Sequence, residues 1–456
     1  MVKKTVIKDL TKGKPNKVLL KFSLPMFLSV IFQQFYNMAD SMVAGRFAGE
    51  DALAAVGASY PITMIFMAVA VGSNIGCSVV ISQLFGAKNY RKVRTAVYTT
   101  LISSAVLSLV LTCVGIVFSA PLMRLIKTPE NIFDQAQLYL RIYIGGFIFL
   151  FVYNICTGIF QSLGDSRTPL WFLIGSSVGN VALDVLFVAV FGWGVAGVAW
   201  ATFIAQSAAC VLAFAAVILR VREIPVDGKP ELFSLSMLMS VSKVAVPSIL
   251  QQSFVSVGNI FIQSLVNSFG SSVIAGYSAA VKLNTFAITS LTTLSNGISG
   301  FTAQNMGAQK SERVREGFRS SLLMGAVVAL VFTLLFSVFP TFFVGLFMKE
   351  GGDALLTGVR FLRIVSPFYA VIGIKLMADG VLRGSGAMRQ FMVATFSDLL
   401  LRVVLSFVLS PHFGTDGVWS SWPVGWTAAA VISIVFYVSG KWERDFFKKS
   451  DEKAAS

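Results

Sequence analysis

The chain has 456 residues, of which 55% are hydrophobic and 13% are charged, and its formal net charge is +15. A soluble globule of this length has no way to bury so much apolar surface, so the composition excludes that class and predicts an all-α membrane protein. The positive net charge does not indicate nucleic-acid binding, because the basic residues are not interleaved with aromatic residues on one face.

Charge-poor apolar stretches of about 20 residues, the length that a helix needs to cross a bilayer, recur along the whole chain. Polar breaks separate them into twelve predicted transmembrane helices: residues 22–45, 56–82, 94–119, 132–160, 168–191, 195–220, 240–267, 273–301, 316–340, 355–382, 388–410 and 417–439. The predicted divisions are a cytoplasmic N-terminal segment 1–21, an N-lobe 22–220, a cytoplasmic linker 221–239, a C-lobe 240–439 and a cytoplasmic tail 440–456.

The positions of the basic residues predict the orientation in the membrane. Most of them lie before the first span, in the loops after even-numbered spans and after the last span. The opposite loops contain Arg46, Arg124, Lys127 and Lys349. The positive-inside rule therefore places both termini in the cytoplasm. Because the first apolar stretch continues as a full span, we expect a multi-pass protein of a bacterial-type inner (plasma) membrane.

Two segments of the chain repeat one another. Residues 82–94 read SQLFGAKNYRKVR and residues 303–315 read AQNMGAQKSERVR, which is a shift of 221 positions. The segments GIFQSLGDSR and GVLRGSGAMR extend the match at nearly the same shift. With an even number of spans in each half, both halves enter and leave on one side. We therefore predict two pseudo-symmetric six-helix lobes related by an axis along the membrane normal.

Four carboxylates lie within predicted spans, where an ionisable residue is costly and by default marks function. Residues four apart on a helix are neighbours, so Asp379 is predicted to pair with Lys375, and Asp398 with Arg402. These two pairs are interpreted as structural. Asp40 and Asp184 have no Lys or Arg within helical reach, so each needs a proton, a bound cation or a charge from another helix.

The neighbours of Asp40 and Asp184 carry polar atoms that suit a hard cation. They are Tyr36, Asn37, Asn180 and Thr202. Oxygen ligands favour Na⁺, whereas two nearby carboxylates in a low dielectric raise each other's proton affinity and favour H⁺; the sequence leaves both open. The alternative is a structural role, with Asp40 near the external mouth and Asp184 hydrogen-bonded to neighbouring helices.

The chain resembles the MATE (multidrug and toxic compound extrusion) transporters, most closely the bacterial MepA-type and DinF-type members. The resemblance covers nearly the whole length and is carried by QQFYNMADSMVAGRFAGEDALAAVGAS, ISQLFGAKNYRKVR, GIFQSLGDSRTP, GNVALDVLFV and GVAGVAWATFIAQ. It implies a MATE-like fold of twelve helices in two lobes. It also implies alternating access and export of amphipathic organic cations in exchange for H⁺ or Na⁺.

The resemblance also implies particular site residues. The cation-coupling positions fall on Asp40, Asn180, Asp184, Thr202 and Tyr36. Tyr139 lies near these positions, and the sequence itself adds Asn37, Gln34, Gln251 and Gln252 as candidates, with Tyr139, for a substrate site or polar network. The NorM-type members have a glutamate in the seventh span, where this chain has Gln251 and Gln252, so we expect coupling to depend on the N-lobe alone.

Two other functions stay open from the sequence. A lipid-linked precursor flippase of the same superfamily would need cations for a pyrophosphate, and the candidates are Arg141, Lys282, Arg360 and Arg363. A channel or membrane scaffold would have no use for two uncompensated buried carboxylates. No enzyme motif is present, so we expect no catalysis, no cofactor, no metal beyond Na⁺, no nucleic-acid partner and a monomer whose partners are small cationic substrates and the lipid bilayer.

Overall fold

The computed structural model describes the backbone over residues 8–43, 50–126, 128–226, 228–347 and 352–455. Side chains are described over residues 8–36, 54–126, 128–226, 228–347 and 352–448. Almost all of these residues are helical and none of them forms a strand. Helices satisfy their own backbone hydrogen bonds, which is what a chain in lipid requires. The predicted all-α class is confirmed.

The helices of the first half of the chain are Pro15–Val43 (α1), Glu50–Gly86 (α2), Tyr90–Val117 (α3), Ser119–Leu125 (α4), Glu130–Gly145 (α5), Phe147–Ser162 (α6), Arg167–Asp184 (α7) and Gly194–Arg222 (α8). Those of the second half are Leu235–Asn267 (α9), Ser271–Gly307 (α10), Ser311–Val338 (α11), Pro340–Gly345 (α12), Asp353–Val365 (α13), Tyr369–Gly384 (α14), Met388–Val438 (α15) and Lys441–Ala455 (α16).

Several of these helices are bent or interrupted. α5 and α6 meet at Gly146 with a bend of 45°. A π-helical stretch, Val185–Val190, continues α7, and a 3₁₀ turn, Ser366–Phe368, joins α13 to α14. In α15, Gly414 has a non-helical conformation with φ of 57°, which divides its 51 residues into two helices.

Nine helices in the described part of the chain are long and apolar enough to cross a membrane, and the bent pair α5 and α6 makes a tenth. α15 has the length of two spans on either side of Gly414. α10, with 37 residues, has the length of one more. The described residues thus supply the twelve membrane-length helices that the sequence predicts.

The chain divides into two compact units. Unit 1 contains Leu28–Ser253, and unit 2 contains Leu10–Phe27 and Phe254–Ser456. The early residues of α1 therefore belong to unit 2, although the rest of α1 belongs to unit 1. In the same way, α9 belongs to unit 1 as far as Ser253 and to unit 2 beyond it.

Close packing at glycine fixes these exchanged helix segments within their units. In unit 1, a Cβ added to Gly76 of α2 would lie 2.5 Å from the Cβ of Ala245 on α9. In unit 2, a Cβ added to Gly297 of α10 would collide with Ser23 of α1. Gly76 and Gly297 are related by the shift of 221 found in the sequence. Helices approach this closely in membranes because small residues let their backbones meet.

The helix ends repeat as well. Gly164 and Gly386 follow α6 and α14, with φ of 76° and 78°. After Gly164, the backbone N–H of Asp165 donates to the Phe160 carbonyl at 2.9 Å. After Gly386, the backbone N–H of Ala387 donates at 2.8 Å to the carbonyl that is also five residues earlier in the chain. This is a Schellman helix end, in which glycine takes the left-handed conformation without a steric cost. The two halves therefore share turn geometry, not only sequence.

Each unit has an aromatic core. In unit 1 the Phe66 and Phe147 rings meet edge to face at 4.9 Å. In unit 2 the Tyr277 and Trp419 rings stack at 5.0 Å, and Phe361 packs edge-on against Trp419 at 5.2 Å. These contacts hold the helices that carry the polar groups described next.

Candidate functional site

A buried polar pair lies at the end of α7 in unit 1. Asn180 is 2% exposed and Asp184 is fully buried, and both lie on one face because they are four residues apart. The amide nitrogen and oxygen of Asn180 make no hydrogen bond to any described residue. Since a buried polar atom without a partner is costly, the amide of Asn180 is available to a ligand.

The backbone changes directly after Asp184. The next six residues, Val185–Val190, are π-helical, and the backbone N–H of Phe191 bonds the carbonyl of Leu186 at 3.0 Å. A π-helical stretch within an α-helix is uncommon and occurs often at functional sites. This π-helical stretch could not be predicted from the residues, because VLFVAV is ordinary apolar sequence.

A narrow recess with a volume of about 10 Å³ lies between α5, α6 and α8 of unit 1. Its lining residues are Tyr139, Ile142, Tyr143, Gly146, Leu150, Ala199, Thr202, Phe203 and Gln206. The recess brings together Tyr139 and Thr202, two residues chosen from the sequence. None of these described lining residues is Asp, Glu, Lys or Arg, so the recess is apolar and aromatic with a few polar atoms.

Tyr139 connects the recess with the helix that carries Asp184. Its ring stacks on that of Tyr143 at 6.3 Å, and it packs against Val188 and Val198. Val188 belongs to the π-helical stretch that follows Asp184, and α7 packs along α8. Tyr143 and Gln206 were not predicted as site residues from the sequence. A signal was present, because each lies four residues after a chosen residue, on the same helix face.

The α1 residues of the predicted site are described only in part. The side chains of Asn37 and Asp40 lie outside the described residues. Tyr36 and Gln34 are half-buried on α1. On α9, Gln251 and Gln252 are half-buried within the part of that helix that belongs to unit 1, and neither lines the recess.

In unit 2, Lys375 and Asp379 form the predicted ion pair on α14, with 2.6 Å between Nζ and Oδ2. The hydroxyl of Ser433 donates to Oδ1 of Asp379 at 2.7 Å, and Lys375 donates to Thr395 at 3.3 Å. Both charges are nearly fully buried, so their contacts are to each other and to hydroxyl groups. Asp379 is thereby neutralised within its own helix.

No salt bridge joins Asp398 and Arg402, although both side chains lie beside Gly425. Oδ1 of Asp398 and Nε of Arg402 each lack a hydrogen-bond partner among the described residues, and the guanidinium lies 4.5 Å from the ring centroid of Trp422. Gly425 lets the second part of α15 pack closely against the first part. A Cβ added to Gly425 would lie 2.7 Å from Oδ1 of Asp398. An aromatic face next to Arg402 competes with the carboxylate for the guanidinium.

Comparison with known proteins identifies the family. The MatE family model matches residues 25–186 and again residues 247–408, so each half of the chain carries one copy. The chain belongs to the MATE family of transporters. Both copies begin at a proline of the first helix of their half, Pro25 and Pro247, which are 222 positions apart.

Relatives and solved structures of MATE proteins match almost the whole chain. The probable multidrug resistance protein YpnP of Bacillus subtilis (strain 168) is 28% identical over 95% of this chain and 97% of its own length. The multidrug export protein MepA of Staphylococcus aureus (strain MSSA476) is 22% identical over 90% of each chain. An outward-facing MATE transporter of the MOP superfamily superposes with a TM-score of 0.90 at 22% identity, over 98% of this chain and 100% of that one. This chain is accordingly a multi-pass membrane protein of a multidrug efflux family.

Proposed function

We propose that this MATE protein exports amphipathic organic cations by alternating access, in exchange for H⁺ or Na⁺ bound in unit 1. The observation that carries the proposal is the buried pair of Asn180 and Asp184, one turn apart at the start of a π-helical stretch. An ionisable group buried in a membrane helix is expensive, and a proton-coupled or cation-coupled step gives a reason for keeping it.

The coupling site would consist of Asp184, Asn180, Thr202, Asp40 and Tyr36. Binding of a proton or Na⁺ neutralises the carboxylates and changes the free energy of the conformations in which they are buried or open to water. The amide of Asn180 supports this role because its oxygen is unused and suits a hard cation. Tyr139 would move when α7 changes conformation, because it packs against the π-helical stretch that follows α7.

The residues around the recess support the proposed substrate class. The faces of Tyr139, Tyr143 and Phe203 attract organic cations, and the absence of lining Lys and Arg leaves no positive charge to repel them. Gln34, Gln251, Gln252 and Asn37 would supply further polar contacts along the route. The names of the relatives, multidrug resistance and multidrug export proteins, support such a substrate range.

The flippase alternative is less well supported. Its candidate phosphate-binding residues are all exposed, and none lines the recess. Two are occupied, since Arg360 lies 3.6 Å from Asp416 and Arg141 donates to Ser119 at 3.1 Å. A pyrophosphate would need several cations that converge, and the described residues do not supply them in unit 1.

The placement in the cell is part of the proposal. The positive-inside distribution favours cytoplasmic termini, and the bacterial relatives favour the plasma membrane. We expect a monomer.

The test is transport of a fluorescent organic cation in proteoliposomes, with pH and Na⁺ gradients imposed separately. Export that follows either gradient supports the proposal and identifies the ion. Equal flux with and without both gradients would exclude coupled antiport and leave a passive pore.

A further inference from the structure

The buried charges of unit 2 do not balance. Among the described residues of this unit, the nearly fully buried charged side chains are Lys375, Asp379, Arg383, Asp398 and Arg402. They comprise three cations and two carboxylates, so one positive charge lacks a counter-charge. A buried charge without compensation is strongly unfavourable in a membrane protein.

Arg383 is a buried cation that has no aromatic face as close as the one Arg402 has on Trp422, and its Nε has no hydrogen-bond partner among the described residues. Asp379, one helical turn before Arg383, is held by Lys375 at 2.6 Å, and none of the described carboxylates forms a salt bridge with Arg383. Arginine does not lose its proton under physiological conditions, so the charge stays on the guanidinium. Arg383 is 5% exposed, which leaves little water to screen it.

The contacts of Arg383 leave donors unused. Its Nη2 donates to Oγ of Ser295 at 2.9 Å and to Oδ1 of Asn296 at 3.1 Å, both on α10. The guanidinium carbon lies 5.5 Å from the ring centroid of Phe391. Nε makes no hydrogen bond to any described residue. Since Oδ1 of Asn296 accepts from Arg383, the amide nitrogen of Asn296 is a second donor at the same place.

We propose that unit 2 binds a small inorganic anion of the size of chloride at Arg383, held by Nε of Arg383 and the amide nitrogen of Asn296. Water would satisfy these donors but would leave the charge uncompensated, whereas an anion satisfies both requirements. Because Arg383 is only 5% exposed, the proposal is for a small ion and not for an organic anion. This site is independent of the transport proposal, because it belongs to unit 2 and to a fixed charge.

The test measures thermal unfolding of the detergent-purified protein in chloride, in bromide and in gluconate at constant ionic strength. A ligand that binds the folded state raises the midpoint with its concentration. We expect a midpoint higher by a few degrees in about 300 mM chloride or bromide than in gluconate. Arg383→Gln should remove this dependence. Arg389→Gln, which removes an exposed arginine six residues away, should keep it.

A second variant keeps the test decisive if Arg383→Gln does not fold. Asn296→Asp places a carboxylate beside Arg383 and supplies the counter-charge from within the protein. We expect it to be as stable in gluconate as the unmodified protein is in chloride, and to gain nothing from chloride. Anomalous scattering from bromide in crystals should give a peak within hydrogen-bonding distance of Nε. Equal midpoints in chloride and gluconate for the unmodified protein, or a water in place of bromide at Nε, would overturn the proposal.

Discussion

Lys88 and Gln309 have the same left-handed backbone conformation, with φ of 56° in both, although they lie 221 positions apart. Each ends a helix, and its backbone N–H bonds three residues back, from Lys88 to Phe85 at 3.0 Å and from Gln309 to Met306 at 2.9 Å. Neither residue is a glycine, so both helix ends retain the Cβ strain of this conformation. The duplicated sequence therefore preserves an unfavourable backbone geometry in both halves.

Replacing these residues with glycine should stabilise the protein. Lys88→Gly and Gln309→Gly each remove a Cβ cost of about 1 kcal/mol at a position that strongly prefers glycine. Thermal unfolding in detergent measures the change. Lys92→Gly, in the exposed first turn of α3, is the matched control and should lose up to about 1 kcal/mol. A fall in the midpoint for both helix-end glycine variants would contradict this interpretation.

The sequence predicted much of the fold for physical reasons. Apolar runs of bilayer length and the repeated GAK and GAQ segments are local signals, and they give the helices and the duplication directly. The exchange of helix segments was not predictable. Whether α1 as far as Phe27 joins unit 2 depends on contacts such as Gly297 with Ser23, which hydropathy does not encode.

The glycine contacts that hold the exchanged segments give a second prediction. Gly76→Val should destabilise unit 1 by about 1–3 kcal/mol, because the backbone of Ala245 lies where the new side chain must go. Gly57→Ala is the control, since its added Cβ meets nothing within 4 Å and glycine is unfavourable within a helix. Urea or thermal unfolding compares the two. The prediction fails if Gly76→Val is as stable as Gly57→Ala.

The ion pair on α14 gives a third prediction. Asp379→Asn should cost about 3–5 kcal/mol, because it leaves the ammonium of Lys375 buried without a counter-charge. The double variant Lys375→Met, Asp379→Leu should recover most of this loss, since neither charge remains. A double-mutant cycle by thermal unfolding measures the coupling free energy. A coupling near zero would show that the short contact does not stabilise the protein.

Asp398 gives a contrasting prediction. Its substitution by Asn should cost less than Asp379→Asn, because Arg402 lies over Trp422 and does not lose an ion-pair partner. Arg402→Lys should cost about 1 kcal/mol or more, since the planar guanidinium is lost from the ring of Trp422. The unfolding midpoints of these variants provide the measurement. A larger loss for Asp398→Asn than for Asp379→Asn would restore the ion pair as the better description.

The candidate site was predictable where local spacing determines contacts. The spacing of four residues predicted the Lys375–Asp379 pair, and it put Asn180 beside Asp184 on one face. The same spacing misled at Asp398, because a side chain four residues away is only one of several possible partners. Trp422 and Gly425 come from the far part of α15, so the choice of Arg402 between them depends on tertiary packing.

The central claim is that Asp40 and Asp184 couple ion movement to substrate export. Ion-driven uptake of a fluorescent cation into inverted proteoliposomes tests it for Asp40→Asn, Asp184→Asn and the double variant. Asp134→Asn is the control, because Asp134 is an exposed carboxylate in the same unit. Asparagine keeps the volume and removes the titration. We predict that both single variants stay folded and lose ion-driven transport, whereas Asp134→Asn keeps it. Full transport by the Asp40→Asn, Asp184→Asn double variant would contradict the mechanism.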